Sequence, residues 1–138
     1  MADLRILVVE DDFLSRSLLS KIVSSYGQVD VAVDGKEAVD AVKRSYAAGA
    51  PYHLVFLDIM LPKKDGQTVL REIRAHEESL GVSAPDVCKV VMATALGDAK
   101  NVMGAFGSQC EAYITKPFSK HAIEVELRKL LPRKPERP

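Results

Sequence analysis

An α/β fold with a parallel sheet is predicted by this 138-residue sequence, on three observations. Apolar runs of strand length alternate strictly with segments whose apolar residues recur at helical spacing, five pairs in all, the order expected of crossover connections between parallel strands. The run "LVFL" at 54–57 is apolar at every position, as in a strand covered on both faces, whereas a half-solvated strand would alternate. That run then stops at a carboxylate, Asp58, which is costly to bury unless it is paired, hydrogen-bonded or bound to a metal. The length suits one domain whose core needs no disulfide or metal staple.

The elements follow in order. The first strand is the run at 4–9, followed by "EDDF" and a helix in which Leu14, Leu18, Leu19, Ile22 and Val23 recur at helical spacing, with Gly27 closing it. "QVDVAVD" at 28–34 alternates, the pattern of a strand at or near a sheet edge. A second helix covers 35–48 with Ala38, Val39, Ala41 and Val42 on its inner face, and ends near Gly49 and Pro51. After the third strand, Asp65 and Gly66 mark a turn and the start of a helix whose apolar side is Val69, Leu70 and Ile73. "CKVVMAT" at 88–94 is the fourth strand, 98–106 the fourth helix, "AYIT" at 112–115 a short fifth strand, and 119–131 a last amphipathic helix. The domain therefore spans 1–131, and 132–138 form a basic, proline-rich tail.

In such sheets ligands bind beyond the carboxyl ends of the strands. The first strand ends in Glu10, Asp11 and Asp12, the third in Asp58, the fourth in Thr94, and the fifth in Thr115, Lys116 and Pro117. Acids, a hydroxyl and an ammonium thus gather on one edge, although the chain separates them widely. Carboxylates this close raise one another's pKa unless a cation intervenes. Oxygen-only donors select a hard cation, and Mg²⁺ takes one or two carboxylates, several waters and a phosphate oxygen. The pattern predicts a site for Mg²⁺, or Mn²⁺ in its place, and then for a phosphoryl group whose oxygens Lys116 and Thr94 receive. Asp12 is assigned instead to capping the helix that follows.

Other classes are disfavoured. The formal net charge is zero, so nothing in the balance asks for nucleic acid or a membrane surface. No apolar stretch approaches a membrane span, and "MADLRILVV" lacks the layout of a signal peptide, so a cytoplasmic location is expected. Cys88 and Cys110 are expected as free, buried thiols, since neither has a second cysteine or a histidine at ligand spacing. Neither a P-loop nor a Gly-x-Gly-x-x-Gly turn follows the first strand. His53, His76 and His121 are read as incidental, and Met92 and Met103 as packing residues.

The blocks "ILVVEDD", "VFLDIMLPKKDG", "MATA" and "AYITKPF" resemble, in order and spacing, the signature of the response-regulator receiver domain of two-component signalling, over about residues 4–131. The resemblance implies a flavodoxin-like, doubly wound sheet of five parallel strands in the order 2-1-3-4-5, with five helices. It makes Asp58 the phosphoacceptor and matches Glu10 and Asp11 to the family's acidic pair, with Asp11 ahead of Glu10 as direct Mg²⁺ ligand and the Met60 carbonyl as another. Thr94 matches the switch hydroxyl, Tyr113 the switch aromatic, and Lys116 the lysine before a cis proline, Pro117. The implied activity is Mg²⁺-dependent phosphoryl transfer to Asp58 from a sensor histidine kinase or a histidine phosphotransfer protein, followed by self-catalysed hydrolysis. The small Ala95 leaves the approach to Asp58 open.

The implied output is contact with a downstream protein, or a phosphorylation-dependent dimer, through the helix at 98–106, the fifth strand and the last helix. Met103, Phe106, Tyr113 and Ile123 are the apolar candidates on that face, with buried packing the alternative role expected for most of them. No DNA-binding segment follows residue 131 in this sequence, so it reads as a single-domain receiver or a receiver cut from a larger regulator; direct DNA binding is not expected, nor, without a long apolar stretch, is membrane insertion. Two departures from the family pattern are Gln109, where glycine is usual, and the long connection "ESLGVSAPDVC". The competing functions are a phosphate sink or relay intermediate, a degenerate receiver that binds partners without phosphorylation, and an aspartyl-nucleophile phosphatase. The phosphatase needs Asp-x-Asp, and here the second position is Met60.

Overall fold

The sheet is built from β1 (Leu4–Val9), β2 (Gly27–Ala32), β3 (Leu54–Asp58), β4 (Lys89–Ala95) and β5 (Ala112–Lys116). All the pairings are parallel, in the order β2-β1-β3-β4-β5. This is a computed structural model, and it describes residues 4–95 and 110–130. Its helices are α1 (Phe13–Val23), α2 (Gly35–Ala47), α3 (Gly66–Ser79) and, at the end, α4 (Lys120–Leu130). The helix expected at 98–106, with Met103 and Phe106, lies outside the described residues, as do Gln109 and the tail at 132–138. The long connection before β4 contains a short 3-10 turn, Ala84–Asp86.

Strand periodicity divides the core into two layers. Leu7, Val9, Val55 and Leu57 point to the side covered by α2 and α3, where Val39, Val42, Leu70 and Ile73 meet them. Ile6, Val8, Leu54 and Phe56 point to the other side, against Leu19 and Val23 of α1 and Ile123 and Leu127 of α4. Every residue of β3 is buried, as its unbroken apolar run requires, while β2 lies at the edge and leaves Val31 half exposed. Aspartates start three of the helices. Asp12, Asp34 and Asp65 each accept, at 2.8 Å, the amide three residues on, from Ser15, Glu37 and Thr68. Each thereby satisfies a donor that the first helical turn cannot.

Two local expectations are corrected. On α1, Leu19, Ile22 and Val23 are buried, but Leu14 and Leu18 are 75% and 46% exposed. They lie to one side of the buried stripe, Leu18 next to Ile22 at its margin and Leu14 further out, and Phe13 is exposed as well. Gly27 does not close α1; it opens β2 opposite Leu4. A β-carbon there would stand 2.2 Å from the Leu4 carbonyl oxygen, so close strand approach explains the glycine.

Candidate functional site

The ends of β1 and β3 set two acids side by side. Glu10 extends β1 by one residue, its amide donating to the Ala32 carbonyl at 3.1 Å, and its side chain is buried. Asp11 is exposed, and Asp12 turns away to cap α1. Arg16, one turn into α1, donates to the carbonyls of Glu10 and Asp11 at 3.0 and 3.2 Å and so pins the acidic turn. Asp58, also buried, ends β3, and the amide of Met60 donates to its Oδ1 at 3.1 Å. The first residue of α3 packs directly on this strand end. A β-carbon on Gly66 would lie 2.4 Å from the Asp58 carbonyl oxygen.

Lys116 comes from two strands away. It ends β5 in register with Ala95, and its ammonium reaches past β4 to Asp58 Oδ2 at 2.8 Å and Glu10 Oε1 at 2.7 Å. Thr94 is buried near the end of the intervening strand, one residue beyond Ala93, which pairs with Asp58. The Lys116–Pro117 bond is cis. Tyr113 stands apart, half-buried on β5 opposite Met92, and lines a groove of about 450 Å³ with Pro117, Ala122 and Val125 of the α4 side. Ile123 is fully buried.

Burial, first, and then the neighbouring Asp58 push the Glu10 carboxyl up to about 7, against the opposing pull of Lys116. Burial works against the Lys116 ammonium too, but Asp58 and Glu10 outweigh it and raise its pKa. One ammonium therefore serves two buried carboxylates. The contact to Glu10 is an ion pair without hydrogen-bond alignment, and Glu10 Oε1 has no hydrogen-bond partner. Glu10, Asp11 and Asp58 each offer a carboxylate oxygen within 4.8 Å of the others. An all-oxygen set of three carboxylates gathered beside a single ammonium fits a hard divalent cation.

The expected site residues thus divide in two. Glu10, Asp11, Asp58 and Lys116 converge, Thr94 borders them, and Tyr113 lies towards α4; Met60, expected there through its carbonyl, contacts Asp58 through its amide. Arg16 was not anticipated, because an arginine on the first turns of a helix is equally at home as a solvated residue.

The response regulator receiver domain family matches residues 6–128, and the chain belongs to that family. It is 34% identical over 131 residues to the regulatory protein VanRB of Enterococcus faecalis, covering 94% of this chain and 53% of VanRB. Among solved structures it resembles the co-crystal of the Saccharomyces cerevisiae phosphotransfer protein Ypd1 with the receiver domain of the response regulator Ssk1, at 26% identity and a TM-score of 0.80, covering 93% of this chain and 88% of the other. It also resembles the receiver domain of the sensor kinase PA1611 from Pseudomonas aeruginosa, crystallised with magnesium in its active-site cleft, at 28% identity and a TM-score of 0.73 over 94% and 98% of the two chains. The chain spans about half the length of VanRB and a tenth of that of the yeast kinase SLN1, which it also matches. No described helix is long and apolar enough to cross a membrane.

Proposed function

We propose that this chain is a cytoplasmic phosphoacceptor whose Asp58 takes a phosphoryl group from a phosphohistidine on a sensor histidine kinase or a histidine phosphotransfer protein. The observation that carries this reading is a single ammonium, Lys116, 2.7–2.8 Å from two buried carboxylates that form, with Asp11, an all-oxygen cluster. A carboxylate oxygen of Asp58 attacks phosphorus. The new P–O bond forms as the P–N bond breaks, and the partner's imidazole leaves with the bonding electrons. Lys116 follows the phosphoryl oxygens, and the Thr94 hydroxyl donates to one of them in the product. Glu10, Asp11, Asp58 and the Met60 carbonyl hold Mg²⁺ or Mn²⁺, which when bound supplies the positive charge that lets a phosphoryl anion approach carboxylates. Water later cleaves the acyl phosphate.

Phe13, Leu14 and Met60, two or three residues along the chain from Asp11 or Asp58, are exposed and give the donor protein an apolar landing surface. The magnesium-bound Pseudomonas relative and the Ypd1 co-crystal support this choice of cation and partner class. For output, a Thr94 hydroxyl drawn towards the phosphoryl group leaves space for Tyr113 to move. The groove beside α4 then changes for a downstream protein or a second copy, as a population shift.

The test is modification by beryllofluoride or acetyl phosphate with Mg²⁺. Wild type is modified at Asp58, Asp58→Asn is not, and Thr94→Ala is modified but loses the phosphorylation-dependent change in partner or self-association. Modification at another residue, or none in wild type, overturns the assignment.

A further inference from the structure

Asp58 and Met60 open a loop, 59–65, that leads into α3, and the apex of this loop rests on a different part of the chain. The amide of Gly35, at the start of α2, donates to the Pro62 carbonyl at 3.3 Å. A β-carbon on Gly35 would stand 2.1 Å from the Lys64 carbonyl oxygen and 2.5 Å from the Lys64 β-carbon, distances that real atoms do not adopt. Gly35 has an ordinary helical start, so close approach to this loop is what the position demands. Beside it the cap residue Asp34, nearly buried, faces the Lys63 ammonium at 3.4 Å. Lys63 is the one non-glycine among the described residues with positive φ, 67°, which costs energy and persists only where surroundings hold it.

The loop is also fixed from its other sides. The Lys64 ammonium is held by both oxygens of Glu72 on α3, at 2.7 and 2.9 Å. The Gly66 amide donates to the Ile59 carbonyl at 2.8 Å and closes the base. The apex is therefore tied to α3 as well as to the start of α2, and only the short turn through Leu61 and Pro62 separates it from Met60 and Asp58.

We propose that the turn at 34–35, through Gly35 and the Asp34 cap, is a positioning element that sets the height of the 59–65 loop and hence the placement of the Met60 carbonyl beside Asp58. This rests on the cation site proposed above. Gly35 touches neither cation nor phosphoryl group; it acts through Lys64 and Pro62.

The test compares Mg²⁺ affinity with stability in the full chain. Gly35→Ala forces the apex to move by about 1 Å, and is expected to weaken Mg²⁺ binding by about tenfold or more, as loss of a residue supporting metal ligands does. Gly81→Ala is the control. It places a side chain at φ 70° in open space at the end of α3, so it loses stability without touching the loop. Its Mg²⁺ affinity is expected to stay at the wild-type value. A folded Gly35→Ala with wild-type Mg²⁺ affinity overturns the proposal. A second measurement needs no variant: on Mg²⁺ titration of wild type followed by NMR, the Gly35 amide is expected to shift along with Met60, and an unmoved Gly35 overturns it. If wild type binds no Mg²⁺ at all, the cation site itself is wrong, a failure distinct from either of these.

Discussion

Glu10 is the residue whose state the site controls most closely. In the folded chain it keeps its proton up to about 7, whereas an unfolded glutamate releases it near 4.5. Between those values the native state binds the extra proton, so cation-free stability falls as pH rises through the window. Cation binding runs the other way, because the proton must leave before Glu10 can contribute negative charge. Mg²⁺ affinity measured by titration calorimetry should therefore rise with pH up to about 7, by as much as about tenfold per unit, and level off above. Glu10→Gln should flatten that dependence. A wild type whose affinity ignores pH would mean that Glu10 is ionised throughout.

At the scale of elements, the turn between β1 and α1 separates neighbouring acids into unlike jobs. Asp12 is held below the usual carboxylate range by the Ser15 amide, as a helix cap is, while Asp11 lies in the oxygen cluster. Asp12→Ala should lower the denaturation midpoint and leave Mg²⁺ affinity unchanged. Asp11→Asn should leave the midpoint and weaken Mg²⁺ binding by about tenfold or more, since ligand charge sets affinity at such sites. Chemical denaturation and calorimetry on the two variants check both. The role of Asp12 was legible because a cap depends on local spacing alone. The inner face of α1 was legible only in part. Leu14 and Leu18 obey helical spacing as well as Leu19 and Val23 do, and periodicity does not say how far the stripe wraps round the helix. The sheet presses on a narrow edge and leaves the rest to solvent.

Across the whole molecule, a second charged cluster lies at the amino-end edge of the sheet, opposite the site. Glu77 of α3 is fully buried and accepts from the Tyr46 hydroxyl, from Arg74 at 2.6 Å and from the Cys88 amide at 2.9 Å. Arg74 continues to Glu111 at 2.9 Å, and Glu111 accepts the Val90 amide at 2.7 Å. The cluster ties α2, α3, β4 and the approach to β5 together. Burial pulls the Glu77 carboxyl up, but Tyr46, Arg74 and Cys88 outweigh it and hold it low. Its contribution is thus present at neutral pH and fades as pH falls through the folded value. Glu77→Ala takes the acceptor from the buried Cys88 amide and the Tyr46 hydroxyl and one of the two carboxylates from Arg74, and should cost about 3 kcal/mol in urea unfolding while Mg²⁺ affinity stays unchanged. Loss of Mg²⁺ binding along with stability would show that the two edges are not independent.

Local pattern was enough to read the alternation of strands and helices, two of the three aspartates at the helix starts, Asp12 and Asp65, and the residue types crowded at the strand ends, whereas Asp34 reads in the sequence as the end of a strand. The reason is geometric. In a parallel sheet all the carboxyl ends share one edge, so any side chain just after a strand arrives there whatever the order of the strands. Residue spacing could not say which of those ends become neighbours. The packing order places β4 between β3 and β5 and lets Lys116 reach both Asp58 and Glu10, and that single contact sets the charge balance of the site. The buried Glu77, the clamp of Gly35 on Lys64 and the proton on Glu10 likewise depend on segments distant in sequence that meet only when the two layers close over the sheet.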